Sequence, residues 1–224
     1  MSPYQNIKIK CPKCGQVGNM SVLPSLNTAL NPELKEKVIS KEAFEYTCPG
    51  CLTKNHLNYT FLYHDPSRKL MIQFVAGDDK AWVKAVNEFR QMPYSTRDPL
   101  RANKYCVRAV RSQNQLTEKI QIFDAGLDDR VIEILKLVML ANSFKGRLLK
   151  KPDHAFFYKD TDGSNNIIFF KKEESMGALK VTPEQIAAVE KDYAAALQDT
   201  MPGELQVIDS LWAAAAIKQC RKAD

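Results

Sequence analysis

The alternation of apolar and polar residues predicts several short β-strands in the first third of the chain. Apolar and basic residues alternate in residues 6–10, and a stronger alternation runs through residues 56–63. Residues 64–68 have the composition of a turn, and the almost continuously apolar residues 69–75 follow it. Residues 56–63 and 69–75 are therefore predicted to form a β-hairpin, with residues 64–68 as its turn. Residues 44–47 form one more predicted strand.

Two helices are predicted in the same region. Asn31, Pro32 and Glu33 are residue types favoured at a helix N-terminus, so a short helix is predicted to run to about residue 39. The second predicted helix begins near residue 78 and buries an apolar stripe of Trp82, Val86, Phe89 and Met92. Residues 92–99, which contain two prolines, are predicted to form a loop that ends the first lobe.

The second half of the chain is predicted to mix helices with antiparallel strands. The predicted strands are residues 104–111, 154–158, 166–170 and 178–181. The predicted helices are residues 116–123, 128 to about 145, 182 to about 200, and 209–218. Thr182, Pro183 and Gln185 have the residue types of a capping box, which makes this helix start the best defined of the four.

These elements predict an α+β fold with an N-terminal zinc-ribbon-like β lobe that carries short helices. A mixed region of helices and antiparallel strands follows it. The predicted division is residues 1–93 for the lobe and residues 100–224 for the second region. A chain of 224 residues is long enough for two such regions.

Candidate chemistry is concentrated in two Cys-Pro-x-Cys motifs of the predicted lobe. Cys11 and Cys14 form one pair, Cys48 and Cys51 form the other, and 33 residues separate the pairs. Each pair follows a predicted strand, so each can present two thiolates to one ion. Four thiolates are the closed ligand set of a structural zinc site. Gly15 suits the sharp turn after the first pair, whereas Leu52 departs from that pattern after the second.

Other uses of these cysteines stay open at this stage. A redox pair of the thioredoxin type needs one Cys-x-x-Cys within a βαβ pattern, which this region lacks. Disulfides require export, and residues 1–4 do not have the basic and apolar start of a secretory signal. An iron site with four sulfurs has the same geometry as a zinc site. We therefore expect structural zinc in a cytosolic protein, with thiol redox chemistry and iron as alternatives.

The charge of the chain bears on possible partners. The chain has 32 Lys and Arg residues against 26 Asp and Glu residues, a net charge of +6. Basic residues cluster at Arg97/Arg101/Lys104/Arg108/Arg111 and at Lys145/Arg147/Lys150/Lys151. Nucleic-acid-binding proteins contain such clusters, but so do solvated helix ends. The excess is small and acids are interleaved, so a protein partner is favoured and a nucleic acid is the alternative.

Membrane and enzymatic roles have less support. The longest apolar runs, residues 138–141 and 213–217, are far shorter than a membrane-spanning helix. The sequence has no His-Glu-x-x-His, no Gly-x-Ser-x-Gly and no phosphate-binding glycine loop, so it assigns no catalytic residue. An enzyme with a carboxylate and arginine cleft stays an open alternative. Its candidate groups are Glu118, Asp124, Asp128, Asp129 and Glu133, with possible phosphate or ligand contacts from Arg108, Arg111 and Arg130.

The chain resembles the CpXC-domain proteins of bacteria. The resemblance lies in Cys11-Pro12-Lys13-Cys14-Gly15, in residues 31–37 and in residues 44–51 around the second motif. It continues through residues 62–65, 116–120 and 126–133. It implies four metal-binding cysteines and a cytosolic bacterial protein, and it supplies no catalytic residue. The expected function is therefore that of a zinc-stabilised binding or scaffold protein, of unspecified oligomeric state, that docks another protein.

Overall fold

The predicted α+β fold is confirmed by a computed structural model, which describes residues 4–144, 152–198 and 201–221. Its strands are β1 (Gln5–Lys10), β2 (Val17–Val22), β3 (Ser25–Asn27), β4 (Glu45–Thr47), β5 (Lys54–His56), β6 (Phe61–Asp65), β7 (Leu70–Phe74), β8 (Cys106–Val110), β9 (His154–Lys159), β10 (Asn165–Lys171), β11 (Glu174–Lys180) and β12 (Leu205–Gln206). Its helices are α1 (Lys35–Ile39), α2 (Asp79–Arg90), α3 (Tyr94–Ala102), α4 (Gln113–Asp124), α5 (Asp129–Phe144), α6 (Pro183–Asp192), α7 (Ala194–Leu197) and α8 (Ser210–Cys220). Among these described helices, none has both the length and the apolar character needed to cross a membrane.

Contacts within the chain define two compact units. The units are residues 1–117 with 202–206, and residues 118–201 with 207–224. This grouping differs from the predicted regions 1–93 and 100–224. The reason is that β8 pairs in parallel with β7 and so belongs to the sheet of the first unit. The segment 202–206 belongs there too, because β12 pairs with β8.

The first unit contains two small antiparallel hairpins outside its main sheet. In the first, β1 pairs with β2 from Gln5↔Val22 to Lys10↔Val17, and in the second, β4 pairs with β5. The predicted strands at residues 6–10 and 44–47 are thus confirmed. The single strand predicted at residues 56–63 is wrong, because the chain changes partner there. Strand β5 pairs with β4, whereas β6 pairs with β7.

The main sheet of the first unit has the strand order β12-β8-β7-β6-β3. Strands β6 and β7 form the predicted antiparallel hairpin, and the other neighbours are parallel. Asp65 closes the turn between them, because its carboxylate accepts hydrogen bonds from the backbone N–H groups of Ser67 and Arg68. One face of this hairpin is buried against Phe44, whose ring lies 5.5 Å from that of Phe61.

Helix α3 and strand β12 of the first unit are not among the elements that the sequence predicts. The loop expected at residues 92–99 is wrong, because helix α3 begins at Tyr94. Pro93 precedes its first turn and Pro99 lies inside it, where proline removes only one backbone donor. The other element is β12. Gly203 leads into β12 at φ +73, and a side chain there would meet the backbone of Arg101.

The second unit contains the predicted mixture of helices and antiparallel strands. Strand β10 lies between β9 and β11, and α6 begins with the predicted capping box of Thr182 and Gln185. The long helix predicted from residue 182 ends at Asp192, and α7 follows it as a separate short turn. The predicted end of α5 near residues 145–147 lies outside the described residues. Helices and sheet share a core of Ile122, Ile132, Leu135, Phe157, Ile167, Ala213 and Ala216.

Candidate metal centre

The two Cys-Pro-x-Cys motifs fold into knuckles with the same hydrogen bonds. In the first knuckle, Cys11 N donates to Gln16 O (2.8 Å) and Gly15 N donates to Cys11 O (2.9 Å). In the second, Cys48 N donates to the carbonyl of Thr53 (3.0 Å) and Leu52 N donates to that of Cys48 (2.9 Å). The first knuckle follows β1 and the second follows β4, so both lie at strand ends, as the sequence predicts.

The backbone after each second cysteine is left-handed. Gly15 has φ +74 and Leu52 has φ +56, so Leu52 adopts the conformation that glycine supplies in the first knuckle. The departure noted in the sequence therefore leaves the turn unchanged. Leucine in this conformation carries a strain of about 1–2 kcal/mol, because its Cβ crowds the following carbonyl oxygen. The Leu52 side chain is exposed, so no burial offsets this strain.

We therefore expect Leu52→Gly to leave the second knuckle intact and to be neutral or stabilising by about 1 kcal/mol, since the entropy of glycine in the unfolded chain opposes part of the relief. The matched variant Gly15→Leu should destabilise the chain by about 1–2 kcal/mol, because it places leucine at φ +74. Chemical denaturation of the two variants and of the unchanged chain measures both changes in stability. A loss of stability in Leu52→Gly would contradict the assignment of strain to this residue.

The four sulfur atoms form a compact group, which we call the thiol cluster. Cys11 Sγ lies 3.7 Å from Cys51 Sγ, Cys14 Sγ lies 3.6 Å from Cys48 Sγ, and all four atoms lie within 4.8 Å of one another. A tetrahedral ion with metal–sulfur bonds of about 2.3 Å requires sulfur–sulfur distances of about 3.8 Å. A disulfide requires about 2 Å, and all four cysteines are free thiols. The thiol cluster therefore fits a tetrahedral metal ion.

The electrostatics of the thiol cluster also favour a cation. A hydrogen bond with the Thr53 side chain (3.3 Å) lowers the pKa of Cys51 to about 6. The backbone N–H of Gln16 lowers the pKa of Cys14, but burial and the three neighbouring sulfurs outweigh it and raise this pKa to about 12. Four thiolates this close repel one another, so complete ionisation needs a positive ion among them. A divalent metal ion supplies that charge.

An apolar shell surrounds the buried side of the thiol cluster. Cys11 and Cys48 are 1% and 0% exposed, and they pack with Tyr46. The partly buried side chains that complete this shell are Ile9, Met20 and Leu57. The shell is small, so it contributes little burial by itself and makes the lobe dependent on another source of stability.

The Tyr46 hydroxyl lies against the backbone of Gly18, beside this shell. A Cβ atom on Gly18 would collide with the Tyr46 hydroxyl, which is buried and has no hydrogen-bond partner among the described residues. We expect Gly18→Ala to destabilise the lobe by about 1–3 kcal/mol through this overlap. Tyr46→Phe removes the oxygen and should be neutral or stabilising, because it removes an unsatisfied buried polar atom.

The double variant Gly18→Ala/Tyr46→Phe tests this overlap, because it should recover most of the stability that Gly18→Ala loses. Thermal and chemical unfolding of the three variants measure the effect. Equal destabilisation of the single Gly18→Ala variant and the double variant would show that the collision is not the cause.

Three of the predicted carboxylates of the second unit lie in its interior. Glu118, Asp129 and Glu133 are 0–3% exposed, and each pairs with a lysine that is also buried. We call the five residues Glu118, Lys119, Asp129, Glu133 and Lys136 the buried ion network. Lys136 Nζ lies 2.9 Å from Glu118 Oε1 and 2.9 Å from Glu133 Oε1, and Lys119 Nζ lies 3.0 Å from Asp129 Oδ2.

This network has the character of a structural ion cluster. Burial raises the pKa of Glu118, although Lys136 opposes the shift. Burial alone would lower the pKa of Lys136, but contacts with Glu118 and Glu133 raise it above its ordinary value. The Phe157 N–H also donates to Glu118 Oε1 (2.7 Å), which ties β9 to α4. Sequence reasoning missed both lysines. The available signal was a lysine at position 136 within an otherwise apolar run.

The remaining predicted acids lie apart from the network. Asp124 is half-buried on the last turn of α4. Asp128 is half-buried immediately before α5, where its carboxylate pairs with Arg130 at 2.6 Å.

The three arginines predicted as possible ligand contacts each have an internal role. Arg108 donates to Gln206 Oε1 (2.7 Å) in the first unit, and Arg111 pairs with Asp79 and lies over the Trp82 ring at 4.4 Å. Arg130, in the second unit, pairs with Asp128 and also donates to the Leu197 carbonyl (3.0 Å). The second basic cluster, residues 145–151, lies outside the described residues.

The fold and the thiol cluster define an α+β protein with a zinc-ribbon-like, four-cysteine lobe. A family model described as CpXC protein matches residues 9–136, which is more than half of the 224-residue chain and includes all four cysteines. The chain therefore belongs to the CpXC family, as the resemblance in its motifs predicts. No curated protein and no solved structure matches the chain.

Proposed function

We propose that the thiol cluster holds a structural zinc ion and that the chain is a zinc-stabilised cytosolic binding protein that docks another protein. The observation that carries the structural role is the set of four converging sulfurs. Four protein ligands fill a tetrahedral zinc ion, whereas catalytic zinc keeps one position for water or substrate. Zinc bound there would supply folding free energy and no reaction step.

The architecture of the lobe explains why it would need the ion. The hairpins β1–β2 and β4–β5 are each two-stranded, and such hairpins are marginally stable in water. Their common apolar shell is small. Each hairpin contributes one knuckle to the thiol cluster, so an ion held by Cys11, Cys14, Cys48 and Cys51 would join the two hairpins.

A protein partner is supported by exposed apolar side chains beside both knuckles. Val17 follows the first knuckle and is 59% exposed, and Leu52 lies in the second and is 76% exposed. Apolar side chains held in solvent on a metal-stabilised turn are suited to burial against a partner. We call Val17 and Leu52 the knuckle pair.

A nucleic-acid partner has weaker support, because the predicted arginines are engaged within the chain. Arg97 and Arg101 pair with Glu204, and Arg111 pairs with Asp79. A phosphate backbone would have to compete with these carboxylates. Nucleic-acid binding would also produce a steep dependence of affinity on salt, whereas docking through the knuckle pair would depend on salt only weakly.

Quantitative cross-linking tests the docking proposal. A tagged chain with Val17→Lys and Leu52→Lys is compared with the unchanged chain in extract of its own cells, and cross-linked proteins are measured by mass spectrometry. Leu30→Lys is the matched control, because Leu30 is 75% exposed and lies away from the knuckles in sequence. We expect the amount of one specific cross-linked partner to fall about tenfold with the double variant and to stay unchanged with the control. Equal recovery from both variants contradicts docking through the knuckle pair.

A further inference from the structure

A groove lies between α5 and α8 in the second unit. Its volume is about 430 Å³, and its apolar walls are Leu137, Val138, Ala141, Ala214 and Ile217. Leu137, Val138 and Ile217 also pack against the core, so the groove opens onto the edge of the core. The two alanines contribute small side chains to the facing helices. This is why a space persists where two larger residues would meet.

The charged residues that line this groove, within the described part of the chain, are Lys218 and Arg221. They are three positions apart at the C-terminal end of α8, so they lie on the same side of the helix. The helix dipole accounts for basic residues at this end. It does not account for an apolar cavity beside them. The groove therefore combines an apolar wall with one cationic edge.

We propose that this groove binds a small amphipathic carboxylate of the fatty-acid type. Its alkyl chain would lie along the apolar wall, and its carboxylate would pair with Lys218 and Arg221 at the edge. The volume falls within the range of 300–1,000 Å³ that is typical of small-molecule sites. A neutral apolar ligand would make no use of the two cations, and a cationic amphiphile would be repelled by them. This site is independent of the thiol cluster and of its metal.

A series of headgroups on one alkyl chain tests the proposal on the unchanged, full-length protein. Decanoate, decanol and decyltrimethylammonium are titrated by calorimetry below their micelle-forming concentrations. We expect saturable binding of decanoate, with decyltrimethylammonium at least about tenfold weaker because Lys218 and Arg221 repel it. Equal affinity for the three headgroups, or no saturable binding of decanoate, overturns the proposal.

Variants of the groove separate its two features. Lys218→Gln with Arg221→Gln should weaken decanoate about fivefold to tenfold, as expected for two partly exposed ion pairs, and should leave decanol unchanged. Ala214→Leu fills the groove from an exposed helical position and should weaken both ligands at least about tenfold. Lys191→Gln, an exposed change on α6, is the control. Matching circular dichroism and melting curves establish that the variants are folded.

Two results of the variant series would count against the site. Unchanged decanoate binding in Ala214→Leu would place the ligand elsewhere. A change of oligomeric state in Ala214→Leu without a change in decanoate affinity would assign the groove to contacts between copies of the chain. Either result overturns the proposal, and neither affects the metal site.

Discussion

If the thiol cluster holds zinc as proposed, Cys48→Ser is expected to abolish zinc binding and to open the N-terminal lobe to proteolysis. Cys48 is fully buried, and its sulfur lies 3.6 Å from Cys14 Sγ in the thiol cluster. A serine hydroxyl is a poor ligand for zinc beside three thiolates. Without the ion, the two hairpins keep only a small common apolar shell. We therefore expect cleavage in residues 5–56 to accelerate at least about tenfold.

Limited proteolysis followed by mass spectrometry measures this effect and locates it. The control is Cys220→Ser, because Cys220 is a half-buried free thiol outside the thiol cluster. The control should retain the metal and the protease resistance of the unchanged chain. Removal of the metal from the unchanged chain by a chelator should reproduce the cleavage pattern of Cys48→Ser. A Cys48→Ser protein that resists proteolysis as well as the control would mean that the lobe does not depend on a metal.

The second large effect is expected for Lys136→Met in the buried ion network. Methionine has a similar length but no charge, so Glu118 and Glu133 would lose the ammonium group that lies 2.9 Å from each of them. Both carboxylates would stay buried, and Glu133 would keep Lys119 at 3.2 Å, whereas Glu118 would lose its paired ammonium. Breaking a buried ion pair in this way costs about 3–5 kcal/mol, because the charge left on Glu118 is not compensated. We expect chemical denaturation to report a loss of this size.

A double variant tests the cause of that loss. Glu118→Gln removes one of the two carboxylates that face Lys136 but keeps an oxygen that can accept the Phe157 N–H. Lys136→Met should therefore cost less in the Glu118→Gln background than in the unchanged chain. Lys191→Met, at an exposed site, is the control and should change stability by less than about 0.5 kcal/mol. A strictly additive result would show that charge pairing is not the cause.

The candidate site could be predicted from sequence because its signal is local. Two cysteines separated by two residues at a predicted strand end specify a knuckle, whatever the rest of the chain does. The same holds for the turn between β6 and β7, where Asp65 bonds to the next two backbone donors after proline. It also holds for the capping box of α6. In each case the residues that make the contact are a few positions apart.

The parts that sequence reasoning missed depend on distant partners. Strand β12 has two residues, and it becomes a strand only because β8 offers it an edge about a hundred positions earlier in the chain. Residues 56–63 have one continuous alternation, but His56 ends β5, residues 61–63 belong to β6, and residues 57–60 lie in neither strand. Lys119 and Lys136 look like surface residues until α4 and α5 are placed side by side. No local sequence pattern indicates which distant segments or side chains will pair in this way.

The prolines near α3 illustrate a different kind of error. The sequence places Pro93 and Pro99 in a predicted loop, since proline usually interrupts a helix. Pro93 occupies the N-cap position of α3, where its missing N–H removes no hydrogen bond from the helix. Pro99 removes one donor from a helix whose residues are mostly exposed, so water can satisfy the carbonyl that loses its partner. Composition alone does not distinguish this arrangement from a loop.

The most direct test of the structural-zinc proposal is the metal content of the unchanged chain. Elemental mass spectrometry is applied to protein purified without added metal and under reducing conditions. The account predicts one zinc ion per chain, with little iron, and no zinc in Cys48→Ser. Protein that is folded but contains no zinc, or whose four cysteines are paired as disulfides, would contradict the account and make thiol redox chemistry the leading interpretation of the knuckles.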